Sequence, residues 1–131
     1  VKRDPKATCW SIFKQYFWDD GNEYAYDMQD LCEYYKMYQD LMGFWHSKYP
    51  RKIYDLNYEI LTEDQEKETR NLISYLNLDW DDQCLDFHTN KRSVKTASNL
   101  QVREKMYTGS SQKWRQYEPY LAEMLRGLKG C

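Results

Sequence analysis

Hydroxyls and cations are concentrated in one stretch of the chain, residues 92–118, RSVKTASNLQVREKMYTGSSQKWRQYE. Thr96, Ser98, Ser110 and Ser111 offer O–H groups, and Arg92, Lys95, Arg103, Lys105, Lys113 and Arg115 offer positive charge. A phosphate is held by that combination, N–H and O–H donors converging with cations near short helix starts. A second stretch of the same character is the N-terminal KRDPKATCWS. The two are expected to meet around one phosphorylated ligand. The alternative from composition alone is that both are solvated surface.

The elements around these stretches are legible from periodicity. Pro5 suits a first helical turn, where its missing N–H has no partner to lose. Residues 7–17 then read as a helix with Trp10, Phe13 and Phe17 on one face and Ser11 and Lys14 elsewhere. Asp19, Asp20, Gly21 and Asn22 make a turn. Residues 27–49 form a long amphipathic helix, with a core stripe of Met28, Leu31, Cys32, Tyr35, Tyr38, Leu41, Met42 and Trp45, ended by Pro50. Residues 52–58, KIYDLNY, are the internal strand candidate. Thr62 to Gln65 is a plausible capping box for a helix to about Leu76, with Leu72, Ile73 and Leu76 inward and Asn77 at its C-terminal cap. Residues 80–87 make a short helical turn. Ser98 can cap a short helix to about Lys105, and Ser110 or Ser111 one carrying Trp114 and Tyr117. A last helix, residues 119–128, points Leu121, Met124, Leu125 and Leu128 inward.

Composition narrows the function classes. The 131 residues fit one domain or part of one. Thirteen Tyr and five Trp make the chain aromatic yet polar, because both rings keep a polar tip. A net charge of -2 argues against RNA or DNA binding, which wants a basic excess. No apolar run approaches membrane-spanning length. Cys9, Cys32, Cys84 and Cys131 are widely and irregularly spaced, with His46 and His88 remote from any Cys pair, so a zinc site is not expected. Free thiols in a reducing, cytoplasmic setting are the expectation, with a disulfide left open.

One strand cannot satisfy its own N–H and C=O groups, and a strand between helices ordinarily joins a parallel sheet. Besides residues 52–58, the chain offers only a strand end at residues 1–3. The reading is therefore the mostly α-helical C-terminal part of an α/β domain, with the partner strands supplied by an upstream segment or another chain.

The order of motifs narrows this further. KRDP with Ser11, a segment ending in NYE at residues 57–59, CLDFH at 84–88, then R-x-V-x-T-A-S-x-x-Q-V-R from Arg92 and K-W-R-x-Y-E from Lys113 resembles the C-terminal portion of PAPS-dependent sulfotransferases. The tyrosylprotein enzymes and the bacterial domains that follow tetratricopeptide repeats resemble it most. The resemblance covers essentially the whole chain. It implies an α/β fold with a P-loop-like parallel sheet and flanking helices. It implies transfer of a sulfuryl group from PAPS to a hydroxyl or amine of a small-molecule, glycan or peptide acceptor, without metal.

Carried over by residue, Arg3 and Ser11 would bind the nucleotide's 3′-phosphate, Tyr58 would lie by the adenine, and Ser98 and Lys113 would reach the nucleotide, with Arg103 a further candidate. Glu59 would fix local structure, and Trp114, Tyr117 and Leu121 would be core. Cys84 and His88 match family positions without a defined role. The chain departs from the pattern in two ways. The family's Gly-rich phosphosulfate loop and its catalytic base lie upstream of the RDP segment, so no residue here is assigned to catalysis. Lys105 stands where relatives often carry Pro. A rival expectation is a non-catalytic helical interaction module, or an inactive remnant of such an enzyme.

Overall fold

A computed structural model describes residues 1–18, 20–90, 92 and 103–131. Among these residues the chain is mostly helical and divides into two compact units. The first comprises Val1–Lys2 and Tyr54–Thr108, and the second Arg3–Ile53 and Gly109–Cys131.

The second unit holds the core. Helix α1, Pro5–Phe13, begins where Pro5 fixes the backbone and the Asp4 carboxylate accepts from the Ala7 N–H. It stops a turn earlier than its apolar spacing suggests. The Tyr26 hydroxyl accepts from the Phe17 N–H and donates to the Phe17 carbonyl, which holds residues 16–18 outside the helix. Helix α2, Met28–Lys48, is capped by Asp27, whose carboxylate accepts from the Gln29 and Asp30 N–H groups. A 3₁₀ segment, Ser110–Tyr120, packs along α1, and helix α5, Ala122–Gly127, packs on α2. Ala7, Cys9, Leu31, Cys32, Trp114, Leu121, Met124 and Leu128 are buried together.

Three expectations in this unit are corrected. Neither Ser110 nor Ser111 caps the 3₁₀ segment; Gly109 stands at its start with φ 82°, a conformation that favours glycine. Pro119 lies inside that segment, and the last α-helix starts only at Ala122. The α2 stripe is fully buried at Leu31 and Cys32, and Met28 and Tyr35 pack half-buried against the same core, but Tyr38, Leu41 and Trp45 are exposed, because α5 and the Glu23–Tyr26 turn cover only part of the helix.

Packing at the α2–α5 crossing is tight. A Cβ added to Gly127 would lie 2.8 Å from the Cys32 Sγ, which itself donates to the Met124 carbonyl. Gly127→Ala is therefore expected to lower stability by about 1–3 kcal/mol in urea unfolding, through overpacking.

In the first unit, Lys2 and Asn57 form a parallel bridge. The Lys2 N–H donates to the Leu56 carbonyl at 2.7 Å, and the Tyr58 N–H to the Lys2 carbonyl at 2.8 Å. The two expected strand ends thus pair, but only by this rung. No strand occurs among the described residues, so residues 52–58 are not the expected strand, and the parallel sheet of the expected α/β class is not among them. The chain turns away at once, since the Asn57 side chain accepts from the Ile60 N–H and opens helix α3, Tyr58–Glu63. Asp64 then caps helix α4, Gln65–Tyr75, in place of the expected Thr62 box. Asn77 adopts φ 55° just past α4, as a helix C-terminal stop requires. Leu72 and Ile73 are half-buried, whereas Leu76 is exposed. Short 3₁₀ turns at Asp82–Cys84 and Phe87–Thr89 replace the single turn expected at 80–87. No described residue of this unit is fully buried.

Candidate functional site

The RDP segment meets the hydroxyl- and cation-rich stretch within the second unit. Arg3 Nε donates to Ser111 Oγ at 3.1 Å across 108 positions of sequence. Ser111 is 4% exposed, so this polar contact sits at the edge of the core and not in loose surface. A guanidinium fixed through Nε has its plane set, and a set fork is what bidentate phosphate or carboxylate recognition needs.

The surroundings reinforce the contact. Asp4 is occupied by local structure: its side chain caps α1, and its carbonyl accepts from the Thr8 hydroxyl. Buried Trp114 carries the Lys6 ammonium 5.2 Å from its ring centre and the Arg115 guanidinium also at 5.2 Å. Trp10 packs on Tyr117 with ring centroids 4.7 Å apart, and Lys14 lies 5.4 Å from the Trp10 ring. Ring faces attract such cations through their quadrupole, and Lys6 and Trp10 of α1 meet Trp114 and Tyr117. The 3₁₀ segment is thereby pinned to α1 along its length.

The expected residues distribute as follows. Arg3, Ser11 and Lys113 belong to the second unit. Ser11 is exposed on α1, about 10 Å along the helix axis from Asp4 by the helical rise. Lys113 is exposed two residues beyond Ser111. Tyr58 and Arg103 belong to the first unit. Tyr58 is half-buried in the first turn of α3, with Glu59 beside it, and not at a strand end. Arg103 donates to the Arg92 carbonyl. Ser98, with Lys95 and Thr96, lies outside the described residues. Sequence reading marked Ser111 as a hydroxyl and a helix cap, and missed it as the partner of Arg3. It also missed Lys6 over Trp114. The available signal for Ser111 was its place two residues before Lys113 in a stretch already marked as anion-binding.

His88 Nδ1 is buried without a hydrogen-bond partner. The thiols of all four cysteines are free. Burial, with Cys32 adding to it, pushes the Cys9 thiol up from 9.0 to about 12, and burial pushes the Tyr35 phenol up from 10.0 to about 12. The sign of the consequence follows from proton binding. Below pH 9 both states hold these protons. Above it the unfolded chain releases them first, so stability falls as pH rises from about 9 towards 12. Urea unfolding at pH 8 and pH 10.5 should show the loss, and a Cys9→Ser, Tyr35→Phe variant should show a shallower one. For the same reason Cys9 should resist alkylation at pH 8 in the folded chain.

Among the described residues no cluster of His, Cys, Asp and Glu is placed to hold a metal ion, and no helix is long and apolar enough to cross a membrane.

Comparison with known sequences supports the family, over the part of the chain that carries the RDP and NYE segments. The sequence profile described as "Sulfotransferase family" matches residues 1–82, so the chain belongs to the sulfotransferase family. An uncharacterized protein of Aquifex aeolicus (strain VF5) is 38% identical over 106 residues, which is 81% of this chain and 14% of that protein. The chain thus spans about one seventh of this relative's length. No solved structure matches.

Proposed function

We propose that this chain binds the nucleotide of PAPS through its 3′-phosphate, in a sulfotransferase that transfers the sulfuryl group to an acceptor hydroxyl or amine. The observation that carries this reading is the Arg3–Ser111 hydrogen bond, in a chain that belongs to the family. A guanidinium set by a buried hydroxyl, with the Lys113 ammonium and the Ser11 hydroxyl on the same unit, fits a phosphate dianion. Arg3 binds the anion through its fork, Ser11 donates its hydroxyl, Lys113 supplies charge, and Ser111 holds Arg3 in place. The nucleotide roles of Tyr58, Ser98 and Arg103 rest on sequence resemblance alone. Transfer itself is positioning and stabilisation of charge, as in phosphoryl transfer.

Thermal unfolding with PAP, the 3′-phosphorylated product nucleotide, tests the reading. A ligand that binds only the folded state stabilises it by about 2.7 kcal/mol at a hundred times its dissociation constant. PAP should raise the unfolding temperature, and AMP, lacking the 3′-phosphate, should raise it less at equal concentration. The exposed Leu41 and Phe44 of α2, with Tyr49 just past its end, favour a second reading, a non-catalytic interaction module. That reading predicts no difference between PAP and AMP.

A further inference from the structure

The connection between α1 and α2 carries a cavity that the nucleotide reading leaves unused. It measures about 240 Å³ and is lined by Tyr16, Trp18, Asp20, Glu23 and Tyr26, together with Phe17 and Asn22. Pockets that engulf drug-sized ligands run from roughly 300 to 1,000 Å³, so this one suits a head group. Four of its seven lining residues are aromatic. Tyr16 and Trp18 meet edge to face at 90° with centroids 5.0 Å apart, and Tyr26 lies 6.5 Å from Tyr16 at 46°. Trp18 is 88% exposed and Tyr16 61%, so neither ring is core packing.

The arrangement is held in place. The Tyr26 hydroxyl bonds both the N–H and the carbonyl of Phe17, which ties the Tyr16–Trp18 strip to the Glu23–Tyr26 turn. Tyr24 stacks on Tyr34 of α2 with centroids 3.9 Å apart and 9° between planes, fixing that turn. Gly21, at φ 89°, lets the loop double back, and its N–H donates to Glu23 Oε1 at 3.2 Å. Backbone N–H groups of Glu23 and Gly21 hold the Glu23 carboxyl below its usual range, so it is ionised at neutral pH.

We propose that this corner of three rings, with Asp20 and Glu23 among the lining residues, is a binding site for an alkylated ammonium group. Ring faces attract a cation through their quadrupole, and a weakly hydrated quaternary ammonium loses little in leaving water to meet them. The carboxylates add sign selectivity, since an anion would be repelled and a neutral group would gain only contact area. The site is independent of the nucleotide reading.

The test is a titration of the full chain followed by the indole N–H resonance of Trp18 in NMR. The ligands are choline, a trimethyllysine peptide, and 3,3-dimethylbutan-1-ol, the neutral carbon counterpart of choline. Choline or the peptide should give a saturable shift, and the alcohol should bind at least tenfold more weakly. A tighter peptide would assign the ammonium to a modified side chain, and a tighter choline to a free small molecule. Trp18→Ala, at an exposed position, should lower affinity at least tenfold when followed by the remaining loop resonances, and Glu23→Gln severalfold. Equal binding of the alcohol, unchanged affinity in Trp18→Ala, or no saturable shift with either cation would overturn the proposal.

Discussion

Trp114→Ala should destabilise the chain by about 3–5 kcal/mol, the usual cost of removing a buried indole from a packed core. Trp114 is 5% exposed and sits in the cluster with Ala7, Cys9, Leu121 and Met124. Its removal leaves a cavity and also frees Lys6 and Arg115 from the ring they flank. Urea unfolding followed by far-ultraviolet circular dichroism measures the loss without depending on the deleted fluorophore. Trp114→Phe keeps an aromatic ring and should recover much of it. A loss under 1 kcal/mol for the alanine variant would mean that the 3₁₀ segment is not pinned to α1 by this side chain.

Arg3→Ala should cost about 1.5–3 kcal/mol of PAP affinity, a loss of roughly ten- to a hundredfold, the range for a charged hydrogen bond. Lysine at position 3 should restore only part, because an ammonium has charge without the planar fork. AMP affinity should change little, since the fork is assigned to the 3′-phosphate. Ser11→Ala should lower PAP affinity in the same direction with no effect on stability, as Ser11 is exposed and outside the core. An Arg3→Ala variant that binds PAP as tightly as the parent would remove the phosphate assignment, whatever its stability.

Helices whose signals are local were legible in the sequence. The three-and-four-residue apolar repeat, closed by Pro50, was enough to place α2 to within a residue at each end. Asn77 beyond α4 was legible because few residues tolerate a left-handed turn. Signals that depend on distant partners misled. The alternation in residues 52–58 reads as a strand, yet the described residues give it one rung of pairing, from Lys2, and the Asn57 cap draws the next residue into a helix. Phe17 fits the α1 repeat, yet Tyr26, nine positions on, takes its backbone groups.

The candidate site divides in the same way. Arg3 and the Ser-Ser-x-Lys stretch carried the expectation of anion binding, and the family itself, legible from the motifs, is shown by the profile over residues 1–82, which includes Arg3 but not Ser110 to Lys113. That Ser111 orients Arg3 depends on a contact 108 positions apart, which no local pattern encodes. The aromatic corner was invisible for a related reason. Asp20 and Gly21 read as an ordinary turn, and only the folded loop shows that the turn brings Trp18 and Tyr26 to one cavity.

The central claim, a site that recognises the 3′-phosphate of the nucleotide, is tested most directly by calorimetric titration of this chain with PAP and with AMP. The account predicts saturable binding with PAP at least tenfold tighter than AMP, and loss of that preference in Arg3→Ala. Equal affinity for the two nucleotides, or no binding heat from a chain that circular dichroism shows to be folded, would contradict it.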